Sequence, residues 1–291
     1  MIDPTTGSAR PTDGMSVTQA LVVARALGVE RLDAQWMLEK LLGQPRTWLI
    51  SHGDAMMTPA QRMQFGEWLT RRASGEPLAY LLGEKEFHGL ALRVGPQVLI
   101  PRPDTETLVD WGLELLAGEF SAIEAPRVVD LGTGSGAIAL AIKRRCARAA
   151  VTAVEFSAPA LEIARGNADL LRLDIELVQG CWWSAVAGRC FDLALANPPY
   201  IAPGDAHLAA LRHEPQSALV AGEQGLSDLH RIIDGAVDAL AAGGWLLLEH
   251  GHDQAAAVRH RLRSAGFDSV QTRVDLGDRE RCSGGRKSKD W

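Results

Sequence analysis

The sequence contains few cysteines, no excess of basic residues and no long apolar run. Its 4 cysteines form no CxxC pair and show no spacing typical of metal ligands, so we expect reduced thiols and no metal site. The formal net charge of −6 does not favour contact with duplex DNA. No stretch is long and apolar enough to cross a bilayer, and no secretory signal is recognisable. We expect a cytoplasmic, monomeric protein without membrane or direct DNA contacts.

Composition and periodicity divide the chain into four segments. Residues 1–15 are polar and rich in proline, glycine and threonine, and we expect a disordered extension. Residues 16–83 carry apolar residues at helical spacing, which predicts a small helical domain for contact with a partner or for packing. Residues 84–101 are expected to form a connecting hairpin around His88. In residues 102–291 strands alternate with helices, which predicts an α/β domain with a parallel sheet.

The most informative stretch is 191–201, where a buried-strand pattern ends in Asn197-Pro198-Pro199-Tyr200. The two prolines have a fixed φ and stiffen a corner at the carboxyl end of a strand, where α/β folds bind ligands. The Asn197 side-chain oxygen and the Pro198 carbonyl would each accept one hydrogen of a planar NH₂ group and so position it for reaction. The Tyr200 ring would attract a cationic methyl donor. The alternative is an ordinary turn that ends the strand.

A glycine-rich loop follows an earlier strand of the same predicted sheet. It reads Gly132-Thr133-Gly134-Ser135-Gly136 and precedes a helix. Glycines let a ligand approach the backbone closely, and the helix N-terminus adds N–H donors. The GxGxG pattern differs from the GxGxxG dinucleotide fingerprint, so the loop alone does not identify its ligand.

Two further residues stand at the ends of the strands between these motifs. Glu155 ends the second strand, where an acidic side chain accepts hydrogen bonds from ribose hydroxyls; by itself it would be read as a surface residue. Trp182 follows the third strand, where an indole would flank a flat base, although one tryptophan of the Trp182-Trp183 pair is expected in the core. Because the ends of parallel strands meet at one edge, we predict that the glycine loop, Glu155, Trp182 and Asn197 form one site.

Several other polar residues have competing interpretations. Arg102 would reach a carboxylate or phosphate, or form a structural salt bridge. The segment Arg212–Pro215 is expected to form a lid over the site. For His250 we favour a structural or lid contact over proton transfer, and for His88 a surface or hinge position. The basic end, Arg286–Lys289, is predicted to be a solvated tail.

These motifs together resemble the HemK/PrmC family, the glutamine methyltransferases that modify peptide-chain release factors. The resemblance extends from Ser16 onward. The motifs that carry it are Leu99–Glu106 (LIPRPDTE), Asp130–Gly136 (DLGTGSG), Asn197–Tyr200 (NPPY), Arg212–Pro215 (RHEP) and Leu248–Gly251 (LEHG). The NPPY motif is shared with DNA and RNA amino-methyltransferases. The first motif and the helical N-terminal domain are more specific and point to the HemK/PrmC family.

The resemblance implies a seven-stranded, Rossmann-like class I methyltransferase domain behind a helical substrate-recognition domain. It implies S-adenosylmethionine as cofactor. Residues 132–136 would line this cofactor, Glu155 would hold its ribose, and Trp182 would lie beside its adenine. The substrate would be the glutamine of the Gly-Gly-Gln loop in class 1 release factors, held by Asn197 and Pro198 and converted to N5-methylglutamine.

The chain departs from the family's common pattern at three positions. The family often has an acidic residue where Cys181 stands, frequently has Glu at Asp104, and more commonly has Asp at Glu155. Three alternatives to release-factor methylation remain open. They are methylation of a ribosomal-protein glutamine, methylation of an amino group in DNA or RNA, and a binding protein with a vestigial nucleotide pocket. The intact NPPY motif disfavours the last of these.

Overall fold

The computed structural model describes residues 14–288, and the chain divides into two compact units between Leu82 and Gly83. The predicted extension, 1–15, lies outside the described residues except for Gly14 and Met15, and Met15 pairs in a short strand. Among the residues described, we find no helix with the length and apolar character needed to span a membrane.

The first unit is helical, as the spacing of its apolar residues predicts. Helices α1 and α4 begin at capping boxes, in which Ser16 pairs with Gln19 and Thr58 with Gln61. The elements of this unit are β1 (Met15–Ser16), α1 (Val17–Ala26), α2 (Arg31–Leu42), α3 (Arg46–Ser51), β2 (Met56–Met57), α4 (Pro59–Ala73) and α5 (Leu78–Leu82).

The second unit opens with a hairpin and continues as an α/β sheet. The hairpin strands β3 (Glu84–Phe87) and β4 (Leu90–Arg93) are joined by His88 and Gly89, both at positive φ. The remaining elements are α6 (Glu106–Ala117), β5 (Arg127–Leu131), α7 (Ala137–Arg145), β6 (Ala150–Glu155), α8 (Ala158–Leu171), β7 (Glu176–Gln179), β8 (Phe191–Ala196), α9 (Gly222–Gly225), α10 (Ser227–Ala239), β9 (Leu240–Glu249), α11 (Ala255–Ser264), β10 (Phe267–Val274) and β11 (Glu280–Lys287).

The strands form one seven-stranded sheet in the order β10-β11-β9-β8-β5-β6-β7. Strands β5 to β9 are parallel, whereas β11 runs antiparallel to both β9 and β10. The chain proceeds outward from β5 to β7 and then returns to place β8 on the other side of β5. The loops after β5 and β8 therefore diverge and leave a crevice, which is where open α/β sheets bind ligands.

Strand β8 shows why the middle of the sheet is apolar in sequence. All six of its residues are buried, and from Leu193 to Ala196 they alternate between two cores. Leu193 and Leu195 pack with residues of α6 and α7, while Ala194 and Ala196 face α10 on the other side. A parallel strand covered on both faces needs this continuous apolar run, and its end is held rigidly in place.

The predicted solvated tail is wrong for Arg286 and Lys287, which belong to β11. The Lys287 ammonium donates to the carbonyls of Val237 at 2.6 Å and Leu240 at 2.8 Å. The basic residues suggested a solvated end, whereas the glycines before them allow close packing within the sheet. A Cβ at Gly284 would lie 2.6 Å from a Leu247 methyl. The last predicted tail residue, 289, lies beyond the described part of the chain.

Candidate active site

A cavity of about 300 Å³ lies at the carboxyl ends of the central strands in the second unit. Segments that follow β5, β6, β7 and β8 line it, together with the stretch before α6 and part of α10. The predicted site residues that line it are Gly132, Thr133, Gly134, Ser135, Glu155, Trp182, Asn197 and Pro199. Gly136, Pro198 and Tyr200 are not among the lining residues.

The glycine loop, 132–136, has a backbone that few other residues would adopt. Its three glycines have φ values of +77°, +55° and +86°. A Cβ on Gly132 would lie 2.9 Å from the Trp182 ring, whereas a Cβ on Gly134 would meet no heavy atom within 4 Å. The loop is thus packed tightly on one side and leaves its backbone open to a ligand at Gly134.

A carboxylate that the sequence interpretation missed holds this loop. Asp130 is fully buried and accepts from the Thr133 hydroxyl at 2.5 Å and from the Ala139 N–H at 3.2 Å. Burial raises the pKa of Asp130 to about 7, against the opposing effect of those two hydrogen bonds. Asp130 therefore ties the loop to the first turn of α7.

Glu155 also holds the loop and lines the cavity. One carboxylate oxygen accepts from the Gly134 N–H at 2.9 Å and the other from the Ser157 N–H at 2.9 Å. Each oxygen keeps a second lone pair that is free to accept from a ligand. The predicted contact with ribose hydroxyls is compatible with this arrangement and stays a prediction.

The two adjacent tryptophans have different environments. Trp183 donates its indole N–H to the Ile232 carbonyl at 2.8 Å and packs against the core beside α10. Trp182 has a positive φ of 44° and lines the cavity against the glycine loop. Phe156 and Cys181 line the cavity as well, and Phe156 is 75% exposed. Phe156 was not predicted as a site residue. Its position directly after Glu155, at the end of β6, is the sequence feature that could have indicated it.

Asn197 carries the least satisfied polar atom at the cavity wall. Its Nδ2 donates to the Thr105 hydroxyl at 3.2 Å, and its Oδ1 is buried without a hydrogen-bond partner in the described protein. A buried acceptor left unpaired costs about 1–3 kcal/mol, so a donor brought by a ligand would bind here favourably. Thr105 itself was not recognised from the sequence as a site residue.

Tyr200 extends away from this wall. Its hydroxyl donates to Oε1 of Glu249 at 3.3 Å, and its carbonyl accepts from the Gln254 amide at 3.0 Å. Burial raises the pKa of Tyr200 well above its ordinary value. The half-buried phenol thus pairs with a carboxylate of the protein, and the predicted contact of its ring with a methyl donor stays a prediction.

The predicted lid segment is anchored through Glu214. Arg102 donates to Oε1 of this buried carboxylate, and the Ile100 N–H donates to Oε2 at 3.1 Å. Of the two interpretations of Arg102, the salt bridge is the one observed, with Glu214 as its partner. Arg102 also lines the cavity. Pro215 lines the cavity next to this anchor.

Neither predicted histidine lies in the cavity wall. His250 is fully buried, with Nε2 at 2.8 Å from the Ser283 hydroxyl and Nδ1 at 2.8 Å from the Gly251 carbonyl. Burial lowers the pKa of His250, which favours the neutral ring and a structural role. His88 pairs with Asp110 at 3.0 Å beside the hairpin turn.

Two families and many relatives match this chain. The family described as PrmC N-terminal domain matches residues 17–83, and the family described as Methyltransferase small domain matches 105–265. The release factor glutamine methyltransferase of Bordetella pertussis is 47% identical over 261 residues, covering 89% of this chain and 95% of its own. That of Salmonella typhimurium is 45% identical over 259 residues, covering 88% and 92%.

Solved structures agree on the fold. The N-terminal domain of human METTL16 in complex with SAH superposes with a TM-score of 0.51 at 18% identity, covering 79% of this chain and 82% of that one. Taken with the crevice between β5 and β8, the matches define an S-adenosylmethionine-dependent methyltransferase of the Rossmann-like class. Within that class the chain belongs to the release factor glutamine methyltransferase family. The resemblance inferred from the sequence motifs is confirmed.

The residues of the cavity fit this cofactor. The positive-φ backbone at Gly134 has open space where a side chain would stand, so a ligand can approach it. Glu155 offers a carboxylate, and Trp182 and Phe156 offer aromatic surface, all in the same cavity wall. Cys181 lines the cavity as well, so this chain has a thiol at that point of the wall.

Proposed function

We propose that this enzyme methylates the side-chain amide nitrogen of the glutamine in the Gly-Gly-Gln loop of class 1 peptide-chain release factors. The observation that carries the proposal is the buried, unpartnered Oδ1 of Asn197 in the cavity that the glycine loop also lines. A primary amide brings two N–H donors on one nitrogen, which match this acceptor and the carbonyl beside it. The product would be N5-methylglutamine.

S-adenosylmethionine, when bound, supplies a methyl group carried on a positively charged sulfur. The backbone of 132–135 would hold it, with Glu155 at the ribose and Trp182 at the adenine. These assignments follow the positions of the family's motifs, and the cavity wall brings the residues together.

Asn197 and Pro198 would act on the substrate amide. The nitrogen of a planar amide is a poor nucleophile because its lone pair is delocalised into the carbonyl. Two acceptors, one on each N–H, would aim the nitrogen lone pair and stabilise the positive charge that the nitrogen gains as it forms a bond to carbon. The stiffness of Pro198 and Pro199 fixes both acceptors before the substrate arrives.

No side chain is required as a general base in this scheme. An N-alkylated amide nitrogen is strongly acidic, so the proton leaves for water after the new bond has formed. The buried and neutral His250 is consistent with this, because it makes its hydrogen bonds to Ser283 and Gly251. As partners we propose release factors alone, with the enzyme acting as a cytoplasmic monomer and without DNA.

The test is incubation of the enzyme with labelled S-adenosylmethionine and purified class 1 release factors, followed by mass mapping of the labelled peptide. We expect one methyl group on the glutamine of the Gly-Gly-Gln loop. A release factor with Glu in place of that Gln serves as the matched control and should stay unlabelled. Labelling of a ribosomal protein or a nucleic acid in preference to the release factor would contradict the proposal.

A further inference from the structure

Gln254 is a buried polar residue that the proposed reaction does not use. It is 9% exposed, lies directly before α11 and is not among the residues that line the cavity. Its side-chain oxygen Oε1 accepts from the Gly251 N–H at 2.8 Å. Its Nε2 donates to the carbonyls of Tyr200 at 3.0 Å and Gln224 at 3.3 Å. One side-chain amide therefore connects the segments that follow β8 and β9 with the turn before α10.

The turn that contains Gln254 sets the orientation of this amide. The backbone N–H of Gln254 donates to the Gly251 carbonyl at 2.9 Å, and the Gly251 N–H donates back to Oε1. Because that N–H needs an acceptor, Oε1 faces Gly251 and the two N–H donors of Nε2 face the other way. Tyr200 and Gln224 each present a carbonyl there. The three partners together match one amide group, which has an acceptor and two donors in one plane.

The turn before α10 is packed against the same carbonyl. Glu223, Gln224 and Gly225 have φ values of +51°, +57° and +88°, all in the left-handed region. A Cβ on Gly225 would lie 2.1 Å from the Tyr200 carbonyl oxygen and 2.7 Å from Nε2 of Gln254. A backbone of this kind persists only where the surrounding contacts hold it, and such residues cluster at functional sites. The glycine therefore leaves the space in which Gln254 reaches Tyr200.

The outgoing side of the Asn197–Tyr200 corner needs an anchor of this kind. The two prolines have a fixed φ, but their rings fix neither ψ of the second proline nor the angles of Tyr200. Ile201, the next residue, makes backbone hydrogen bonds of 2.9 and 3.0 Å with the segment 219–221. The Tyr200 carbonyl lies between the prolines and that segment, and Gln254 is the side chain that holds it.

We propose that Gln254 is a positioning residue for methyl transfer, which anchors the Asn197–Tyr200 corner through the Tyr200 carbonyl. It acts through the corner, since it does not line the cavity. The inference rests on the proposed function for its consequence, because that function assigns the substrate amide to Asn197 and Pro198. Without the anchor, the corner keeps its prolines but its two acceptors are placed less accurately, and inaccurate placement lowers the rate of the chemical step.

The first test is Gln254→Met in the full-length enzyme, because methionine has a similar length and no amide. We expect kcat to fall about tenfold at saturating substrates, since the acceptors are less well placed. The Kd for S-adenosylmethionine should stay close to wild type, because Asp130 and Glu155 hold the glycine loop. Gln271→Met is the matched control, since Gln271 is exposed on β10 and outside the cavity wall.

Two outcomes of this test would overturn the proposal. One is a wild-type kcat in Gln254→Met. The other is a loss of cofactor affinity as large as the loss of rate, because Gln254 would then support the whole cavity rather than the Asn197–Tyr200 corner.

The second test perturbs the same carbonyl from the opposite side with Gly225→Ala. The new methyl group would lie 2.1 Å from the Tyr200 carbonyl oxygen, so either the carbonyl or the turn must move. We expect kcat to fall about tenfold or more, with cofactor Kd close to wild type. Gly188→Ala is the matched control, because its φ of +74° carries similar strain while its Cβ would meet no heavy atom within 4 Å. Equal kcat in the two glycine variants would contradict the role of the Tyr200 carbonyl.

A third measurement separates failure of the anchor from failure of the proposed function. The chain has 2 tyrosines, so labelling tyrosine carbonyl carbons with ¹³C gives NMR signals from Tyr80 and Tyr200 alone. The variant Tyr200→Phe assigns them, because it removes one signal. The chemical shift of a carbonyl carbon depends on the hydrogen bonds that its oxygen accepts, so this measurement needs no substrate.

We expect Gln254→Met to move the Tyr200 signal and to leave the Tyr80 signal in place. An unmoved Tyr200 signal would refute the anchor even in an enzyme that methylates glutamine. Absence of glutamine methylation by the wild-type enzyme would refute the proposed function, while a moved Tyr200 signal would still support the anchor.

Discussion

Two buried threonines, Thr133 and Thr105, lie in different walls of the cavity, and each makes a hydrogen bond through its hydroxyl. Asp130 accepts from Thr133, three residues along the chain, and this pair shapes the backbone of the glycine loop. At the other wall, the Thr105 hydroxyl accepts from Nδ2 of Asn197, 92 positions later in the sequence, and so contacts a side chain. We therefore expect changes in the glycine loop to alter mainly the affinity for the cofactor, and changes at Asn197 to alter mainly the rate of methyl transfer.

The largest expected effect is on the Asn197 side of this comparison. Asn197→Ala removes an acceptor aimed at the reacting nitrogen, so kcat should fall about 100-fold or more. The Kd for S-adenosylmethionine, measured by calorimetry, should change little. A large loss of cofactor affinity with a normal rate at saturation would mean that Asn197 serves cofactor binding, which would contradict the proposed difference between the two walls.

The converse experiment is Gly132→Ala in the glycine loop. The new Cβ would lie 2.9 Å from the Trp182 ring on a backbone with φ of +77°, so the loop must shift. We expect cofactor Kd to rise about tenfold or more, with kcat at saturating cofactor reduced much less. Gly188→Ala is the matched control, since its φ of +74° carries the same strain with no heavy atom within 4 Å. A similar cofactor Kd in both variants would mean that the close contact with Trp182 does not explain the effect of Gly132→Ala.

The stability of the protein should depend on the protonation of the buried Glu249. Its pKa is raised from 4.5 to about 7 in the folded protein, so the native state holds the proton more tightly than the unfolded chain. Stability therefore declines as the pH rises between these values, and the full cost is present above pH 7. Glu249→Gln should be more stable than wild type at pH 8, by about 1–3 kcal/mol in urea unfolding, and the gain should disappear near pH 4.

The control for that measurement is Asp192→Asn. Asp192 is a buried carboxylate that accepts hydrogen bonds from the Arg127 side chain at 3.0 and 3.3 Å, so its neutralisation should destabilise the protein. A loss of stability in Glu249→Gln at pH 8 as well would mean that the ionised Glu249 stabilises the fold, which contradicts the expected cost of burying it.

The smallest expected effect is that of Tyr200→Phe. The hydroxyl contact with Glu249 is long, 3.3 Å, so its loss should lower kcat only about two- to fivefold. The phenylalanine keeps the ring that was predicted to attract the methyl donor. An unchanged rate in this variant, together with a strong loss in Tyr200→Leu, would assign the role of Tyr200 to its ring instead.

The glycine loop could be predicted from the sequence because its signals are local. The glycines can be recognised within a few residues of sequence, and so can the acid at the end of β6 and the two adjacent prolines. The order of strands and helices follows from the periodicity of the apolar residues. The partners of Asn197 could not be predicted in this way. Thr105 is of an ordinary residue type and lies 92 positions earlier in the sequence, so only the fold brings it to Asn197.

The extent of the carboxyl-terminal strand was predicted wrongly for a different physical reason. The basic end from Arg286 was predicted to be a solvated tail, yet it continues β11, in which Gly284 and Gly285 are buried. Close packing against Trp111 and Phe267 leaves no room for a side chain there. Such glycines are defined by their neighbours in space, which one sequence does not show.

The most direct measurement is a crystal structure of the enzyme with S-adenosylhomocysteine and a glutamine-containing peptide from the release-factor loop. We expect the substrate amide nitrogen about 3 Å from both the Asn197 Oδ1 and the Pro198 carbonyl, with Nδ2 still on Thr105. The reacting nitrogen should face the glycine-loop side of the cavity. A glutamine amide bound away from Asn197, or an Asn197 whose Nδ2 meets the substrate, would contradict the account.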